Sequence, residues 1–410
     1  MIMSYERRKD LFIFFVGLMT VFKIRVLGTF YGSEILAFLS YIFIDWTIYK
    51  YNRKVVLLIY MAFVWLCGVI LSDVYNSTPL IDALKGAFNV VFLIMLIPFV
   101  YWMIYDKPSR LLYYAFGYGI AKIVQFYSGG GLEAASGSLA DMEIWKVYFY
   151  YSAAIAIAGL LYYKDKHILA YLFMMAFAFW SLTCVSRNIF LSMSLAVAVL
   201  FYIDRISQDS PMETIWNFRN KILGLFMTLL IAFACVYYTY EHLASSGVLG
   251  KQVYEKYMLQ KNQKGGVASG RSDSAVSIAL ALKEPIFGYG SYAKNKGNIS
   301  NVAAKELGID WEADREDMLP GHSHIWGAWV YAGIGGLFFW LYVLFYLIKS
   351  FKNGVMILDT KLLGYTVFIF MSNIWNILFS PFGGRFSVII LIILFMVYEQ
   401  YYVEKKLSYD

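Results

Sequence analysis

Apolar runs long enough to cross a bilayer recur from one end of the chain to the other, and this repetition settles the fold class before any motif is read. They fall near 11–27, 33–48, 54–72, 84–104, 111–127, 146–163, 168–185, 188–203, 222–240, 324–348, 362–380 and 386–402. A helix needs about 20 apolar residues to cross the hydrocarbon core. Inside that core each backbone N–H and C=O must be paired within its own segment, so the runs predict helices rather than open strands. Charged residues make up 15% of the chain and apolar residues 60%, against about 25% and 45–50% in water-soluble domains. The expectation is an all-α polytopic membrane protein with about twelve transmembrane helices. The stretch 168–203 is too long for one span and breaks only at Ser186-Arg187-Asn188, so it reads as two helices joined by a tight turn.

Basic residues fix the expected orientation. Arg7, Arg8 and Lys9, Arg53 and Lys54, Lys107 and Arg110, Lys164 and Lys166, Arg205, Arg219 and Lys221, Lys349 and Lys352, and Lys405 and Lys406 all flank the spans on one side. By the positive-inside rule that side is the cytoplasm, with both termini on it. The apolar run at the start has no small-residue cleavage site after it and reads as a retained first helix. The net charge of +7 is then accounted for by these loops and calls for no nucleic acid. Ser210-Pro211-Met-Glu213 carries helix-start signals and predicts a short helix on the inner membrane surface. Asp45 reads as snorkelling from the inner end of the second span. Cys67, Cys184 and Cys235 sit inside apolar runs, where an inert thiol is the default.

One long polar segment interrupts the pattern. The chain divides into helices 1–9 at 1–240, an external loop at 241–321 between helices 9 and 10, and helices 10–12 at 322–410. Three short helices are expected in the loop, at 252–260, 274–283 and 301–307, the last capped by Ser300, with a mobile stretch at 261–266. Ser272 reads as the N-cap of the second, which sets Arg271 beside the positive end of a helix, a place that suits an anion. Gly288 and Gly290 in Pro285-Ile-Phe-Gly-Tyr-Gly290 fit a tight turn with close backbone approach. His322 stands at the mouth of an apolar helix that contains Gly333-Ile-Gly-Gly336.

Taken in order, Arg271, Pro285-Ile-Phe-Gly-Tyr-Gly290, His322-Ser323 with Gly333 and Gly336, and Ser380-Pro-Phe-Gly-Gly-Arg385 resemble the O-antigen ligase/polymerase family of membrane glycosyltransferases. In that family the histidine is followed by Asn or Ser, and here Ser323 follows. The resemblance implies a GT-C-like helical fold and a metal-independent, inverting glycosyltransferase without cofactor. It also implies an undecaprenyl-diphosphate-linked oligosaccharide as donor, a chain-length regulator as a candidate partner, and a place in the bacterial cytoplasmic (inner) membrane with the large loop periplasmic or extracellular.

Cations at the outer ends of the spans point the same way without the resemblance. Lys23, Arg25, Lys85, Lys122, Lys146, Arg187 and Arg385 lie where the orientation rule expects few. For Lys85 and Lys146 snorkelling to headgroups explains the position. Arg187 and Arg385 instead sit in short turns between packed spans, and a guanidinium pairs bidentately with phosphate oxygens. Arg187, Arg271 and Arg385 are therefore the candidate diphosphate clamp, with His322 and Arg271 as catalytic candidates. His324, Lys122, Arg25 and Arg315 complete the candidate set. The acidic run Asp310, Glu312, Asp314, Glu316 and Asp317 reads as a solvated loop, since it lacks metal-ligand spacing. The expected activity is polymerisation of lipid-linked repeat units into a surface polysaccharide such as O-antigen, a component of lipopolysaccharide, or capsule. Ligation of glycan to lipid A core, and transport of a lipid-linked glycan without bond making, are the alternatives. The absence of a helix broken at mid-membrane weighs against transport.

Overall fold

The computed structural model describes residues 4–25, 29–134, 139–184, 186–208, 210–262, 272–309, 313–321, 323–380 and 385–407. These residues are predominantly helical, and five helices among them are long and apolar enough to cross a membrane: Arg53–Tyr75, Leu80–Ile104, Arg187–Ile206, His324–Lys352 and Arg385–Val403.

The chain begins with α1 (Tyr5–Leu18), a β-hairpin of β1 (Lys23–Arg25) and β2 (Thr29–Tyr31), and α2 (Gly32–Leu39). The strands are antiparallel, with Lys23 opposite Tyr31 and Arg25 opposite Thr29. The first two expected spans are thus not continuous helices. Alternation of Lys23, Ile24 and Arg25 and the β-branched and aromatic Thr29-Phe30-Tyr31 favour strands over the helix that hydropathy alone predicts. After α2 the chain turns through two 3₁₀ segments, and Asp45 caps the second by accepting from the Thr47 N–H at 2.9 Å and its hydroxyl at 2.7 Å. Its role is a cap rather than a snorkelling charge.

Then follow α3 (Arg53–Tyr75), α4 (Leu80–Ile104), α5 (Arg110–Gln125), the single turn α6 (Gly131–Ala134), α7 (Leu139–Tyr163), α8 (His167–Thr183), α9 (Arg187–Ile206) and α10 (Pro211–Ser245). The break around Arg187 lies where expected, between α8 and α9. The short surface helix does not exist separately: Pro211 starts α10, and no helix breaker precedes Gly224, so the 35 residues run on as one helix. Next come α11 (Lys251–Asn262), α12 (Ser272–Lys283), α13 (Ile299–Glu306), α14 (His324–Lys352), α15 (Leu363–Phe379) and α16 (Arg385–Leu407). The three short loop helices are present as α11 to α13. Ser272 is the first residue of α12 rather than its cap, and α13 is started by the Asn295 Oδ1, which accepts the Ser300 N–H at 3.0 Å, rather than by the Ser300 side chain.

α3 packs against α14 where Gly68 meets Gly335, a crossing so close that a Cβ on Gly335 would lie 2.9 Å from the Val64 carbonyl oxygen. Small residues at such crossings let backbones approach where no apolar gradient drives helices together. α1 packs on α5, α5 on α7, and α15 on α7 and α9.

One end of the bundle gathers the residues expected to face the cytoplasm. Arg110, fully buried, donates to Glu6 at 2.6 Å and to Asp10 at 3.1 Å, and also pairs with Asp106. Lys9 and Lys107 bind Asp106 and Asp10 at 3.2 and 2.7 Å. Three cations thus face three carboxylates, and the cluster ties the start of α1 to the α4–α5 connection. Nearby, Glu399 on α16 takes Lys54, the Tyr346 hydroxyl at 2.5 Å and the Ser350 hydroxyl at 3.0 Å, so α3, α14 and α16 are fastened at the same end.

The Pro285–Gly290 turn is wedged between α3 and α14. Gly288 and Gly290 have φ of +72° and +85°. The Tyr289 N–H donates to the Val330 carbonyl at 2.8 Å, and the Ile334 N–H to the Ile286 carbonyl at 3.1 Å. These two bonds take up the backbone groups freed at Gly333, whose φ of 59° and ψ of −150° interrupt α14. The expectation of uninterrupted spans is corrected here. The turn does make a close backbone approach, and its partner is the protein's own helix.

Candidate functional site

Opposite the basic end, the first residue of α16 stands over a cavity of about 490 Å³ formed by α2, α5, α7, α9, α15 and α16. Among the described residues two cations line it, Arg385 and Lys122. The Arg385 side chain is only 11% exposed and pairs at 2.5 Å with Glu34, which is 2% exposed. It also donates to the Asn89 side-chain oxygen Oδ1 and lies 5.8 Å over the Phe92 ring. Lys122 donates to Gln125 at 3.3 Å and faces the rings of Tyr118 and Tyr31 at 5.3 and 6.0 Å. A buried guanidinium is tolerated because its charge is matched and its N–H groups are used.

The remaining wall is mostly apolar and aromatic, with a few neutral polar groups set into it. Asn188 at the start of α9, Asn373 and Asn376 on α15, and Ser387 on α16 present amides and a hydroxyl, while Trp145 and Trp375 present indole faces. Asn373 is oriented from both sides, donating to the Ile369 carbonyl at 2.8 Å and accepting from the Ser387 hydroxyl at 3.2 Å. Asn376 accepts from the Ser380 hydroxyl at 3.0 Å. Amides and hydroxyls with fixed orientation beside aromatic faces suit a polyhydroxylated ligand, and the two cations suit its anionic end.

The other candidate residues are placed as follows. Arg271 and His322 lie outside the described residues, as do Asp310, Glu312 and most of the 261–266 stretch. Arg187 stands one residue from the lining, with its guanidinium 5.4 Å over the Tyr240 ring of α10, while the adjacent Asn188 lines the cavity. Arg25 occupies the end of β1, paired across the hairpin with Thr29. Arg315 is exposed in the loop. His324 is a core residue, 3% exposed with its ring 4.8 Å from Trp340, so it belongs to the packing of α14 and not to the cavity wall. Ser323, next to His322, donates to the Ile377 carbonyl at 2.9 Å, one residue from the cavity-lining Asn376. The chain at Ser323 is therefore anchored beside α15 at the cavity end.

Among the described residues of 241–321, none lines the cavity. Two described members of the acidic run have local partners: Glu316 pairs with Lys294, whose hydrogen bond and charge hold that carboxyl below the usual range, and Asp317 accepts the Asp314 N–H at 2.9 Å. No group of three His, Cys, Asp or Glu able to hold a metal occurs among the described residues. Lys85 is engaged by Asp82 at 3.0 Å.

Glu34, Asn89, Asn373 and Asn376 were not marked by motif or charge rule. Glu34 carried a signal nonetheless, as an ionisable residue inside an apolar run that needs a partner. No known protein-family profile matches the chain, and no curated protein sequence matches it.

Proposed function

We propose that this protein is a membrane glycosyltransferase that polymerises undecaprenyl-diphosphate-linked repeat units into surface polysaccharide. Its proposed place is the outer face of the cytoplasmic membrane, with about twelve spans and the 241–321 loop outside. One observation carries the reading: a buried cavity that joins a guanidinium and an ammonium to oriented amides, hydroxyls and indoles, at the end of the bundle opposite the basic loops. In the reaction an acceptor hydroxyl attacks the anomeric carbon, the bond from that carbon to the diphosphate oxygen breaks, and the leaving diphosphate carries away the electron pair. Arg385 and Lys122, with Arg187 and Arg271, neutralise the charge that develops on it. His322 takes the hydroxyl proton.

A transporter of the same lipid-linked glycan is the second reading, and the interruption of α14 at Gly333 is the feature that favours it. In transporters a broken helix turns its freed backbone groups toward the ligand. Here those groups are bound by Tyr289 and Ile286 of the protein itself, which removes most of that support. Ligation to lipid A core uses the same donor chemistry and differs only in acceptor.

Substitution in cells tests the catalytic assignment. Arg271→Ala and His322→Ala are each expected to abolish glycan extension, roughly 10²-fold or more in rate, while membrane insertion is retained. Glycan of normal length in either variant would remove that residue from the mechanism.

A further inference from the structure

The Arg385 guanidinium is held on two sides. One nitrogen donates to Glu34 at 2.5 Å and the other to the Asn89 side-chain oxygen Oδ1. Asn89 uses its amide nitrogen in the opposite direction, donating to the Tyr292 hydroxyl at 3.2 Å. Tyr292 belongs to the 241–321 segment, two residues beyond Gly290, and its φ of +55° is a conformation aromatic residues rarely adopt. The strain is held by its neighbour: Asp73 accepts the Ser291 N–H at 2.6 Å and the Ser291 hydroxyl at 2.9 Å. Backbone strain of this kind persists only where the surroundings over-determine it, and it concentrates at functional sites. An unbroken hydrogen-bonded chain, Tyr292–Asn89–Arg385–Glu34, thus runs from the long polar segment into the cavity.

At the far end of that chain, Glu34 is 2% exposed, and its second oxygen accepts the Tyr31 N–H at 3.1 Å. Ser33 beside it lines the cavity, is fully buried, and has a hydroxyl with no hydrogen-bond partner among the described residues. A buried cation at the cavity, with its carboxylate partner and an unmatched hydroxyl beside it, gives an incoming anion groups to engage.

We propose that Glu34 is a displaceable internal counter-ion of Arg385, and that Asn89 and Tyr292 are positioning residues that keep the guanidinium aimed while a diphosphate takes the place of Glu34. This rests on the reading of the cavity as a diphosphate site. A phosphate oxygen can take the place of the one Glu34 oxygen on the guanidinium, so the exchange keeps Arg385 paired, and Glu34 keeps the Tyr31 N–H as a partner. A small monoanion gains nothing over the carboxylate already present. A diphosphate brings further oxygens for Lys122 and the Ser33 hydroxyl, so Glu34 selects against the wrong anion as much as the cations select for the right one.

Titration of inorganic pyrophosphate into the full chain purified in detergent, with a melting temperature for each variant, tests the chain of contacts. Glu34→Gln is expected to bind about tenfold more tightly than wild type, because the competing charge is gone and the shape is kept. Tyr292→Phe, which removes one oxygen atom, is expected to bind several-fold more weakly at an unchanged melting temperature. Arg385→Ala is expected not to bind. Absence of binding in wild type overturns the proposal, as does Glu34→Gln binding equally or more weakly at unchanged melting temperature. Should Glu34→Gln not fold, Tyr292→Phe decides: wild-type affinity there overturns it. Pyrophosphate shifts as expected without any glycan product would count against the enzyme reading alone, and product formation without the shifts would count against the counter-ion exchange alone.

Discussion

Replacement of Arg385 by Ala is expected to lower the rate of glycan extension by roughly 10²–10³-fold, the usual loss when one group that stabilises developing charge is removed. The size follows from where the side chain sits. At 11% exposure its charge is poorly screened by water, so a leaving diphosphate formed beside it gains more than it would at a surface. Arg385→Lys is expected to recover only part of the rate, because a single ammonium cannot serve Glu34 and Asn89 while presenting a forked edge to phosphate. Since loss of Arg385 leaves Glu34 buried without its partner, variant abundance in the membrane and melting temperature belong beside the rate. A rate within a few-fold of wild type at normal abundance would show that Arg385 is a structural ion pair and no more.

The largest effect on stability is expected at Gly333. Its φ of 59° and ψ of −150° lie in a region that is essentially reserved for glycine. A Cβ there would stand 2.0 Å from the Ile286 carbonyl oxygen and 2.6 Å from its carbon, both backbone atoms of the wedged turn. Strain and clash together put Gly333→Ala at roughly 4 kcal/mol or more of destabilisation. That is a large part of the total stability of a typical domain, about 5–15 kcal/mol. Gly224→Ala in α10 is the matched control, since a Cβ there meets no atom of the described residues within 4 Å. It should melt at or slightly above the wild-type temperature, as alanine in place of glycine favours a helix. Equal melting of the Gly333 variant and wild type would mean that the turn and α14 do not pack as described.

The parts of the fold legible in the sequence are those governed by local or periodic signals. Long apolar runs marked α3, α4, α9, α14 and α16, and the polar break around Arg187 separated α8 from α9 because length alone forbids one span. Gly288 and Gly290 announced a tight turn, and both have the positive φ that such a turn requires. The strand pair at 23–25 and 29–31 was hidden because hydropathy counts Val, Ile and Phe alike in helices and strands, and only the period of two at Lys23-Ile24-Arg25 distinguishes them. The interruption at Gly333 was hidden for a different reason: its cause is a turn 43–48 residues earlier in the chain, which no local pattern reveals.

For the candidate site, charge counting located Arg385 and Lys122, since cations at the wrong end of a span stand out against the orientation rule. It could not locate their partners. Glu34 and Asn89 lie 351 and 296 residues from Arg385, and pairing over such distances depends on how helices are arranged, which the sequence carries only through packing. His324 shows what a local signal cannot convey. Its position at the helix start made it a candidate, whereas its contact with Trp340, 16 residues on, makes it part of the core.

The most direct measurement supplies the purified full chain in lipid with one kind of undecaprenyl-diphosphate-linked repeat unit and no other acceptor, and resolves the products by size. The expected result is a ladder of integral multiples of the repeat unit, reduced by roughly 10²-fold or more in Arg385→Ala. No product with the repeat unit alone, and product only once lipid A core is added, would contradict polymerisation in favour of ligation. No product under either condition, with the lipid-linked unit carried across the bilayer instead, would contradict the enzyme altogether.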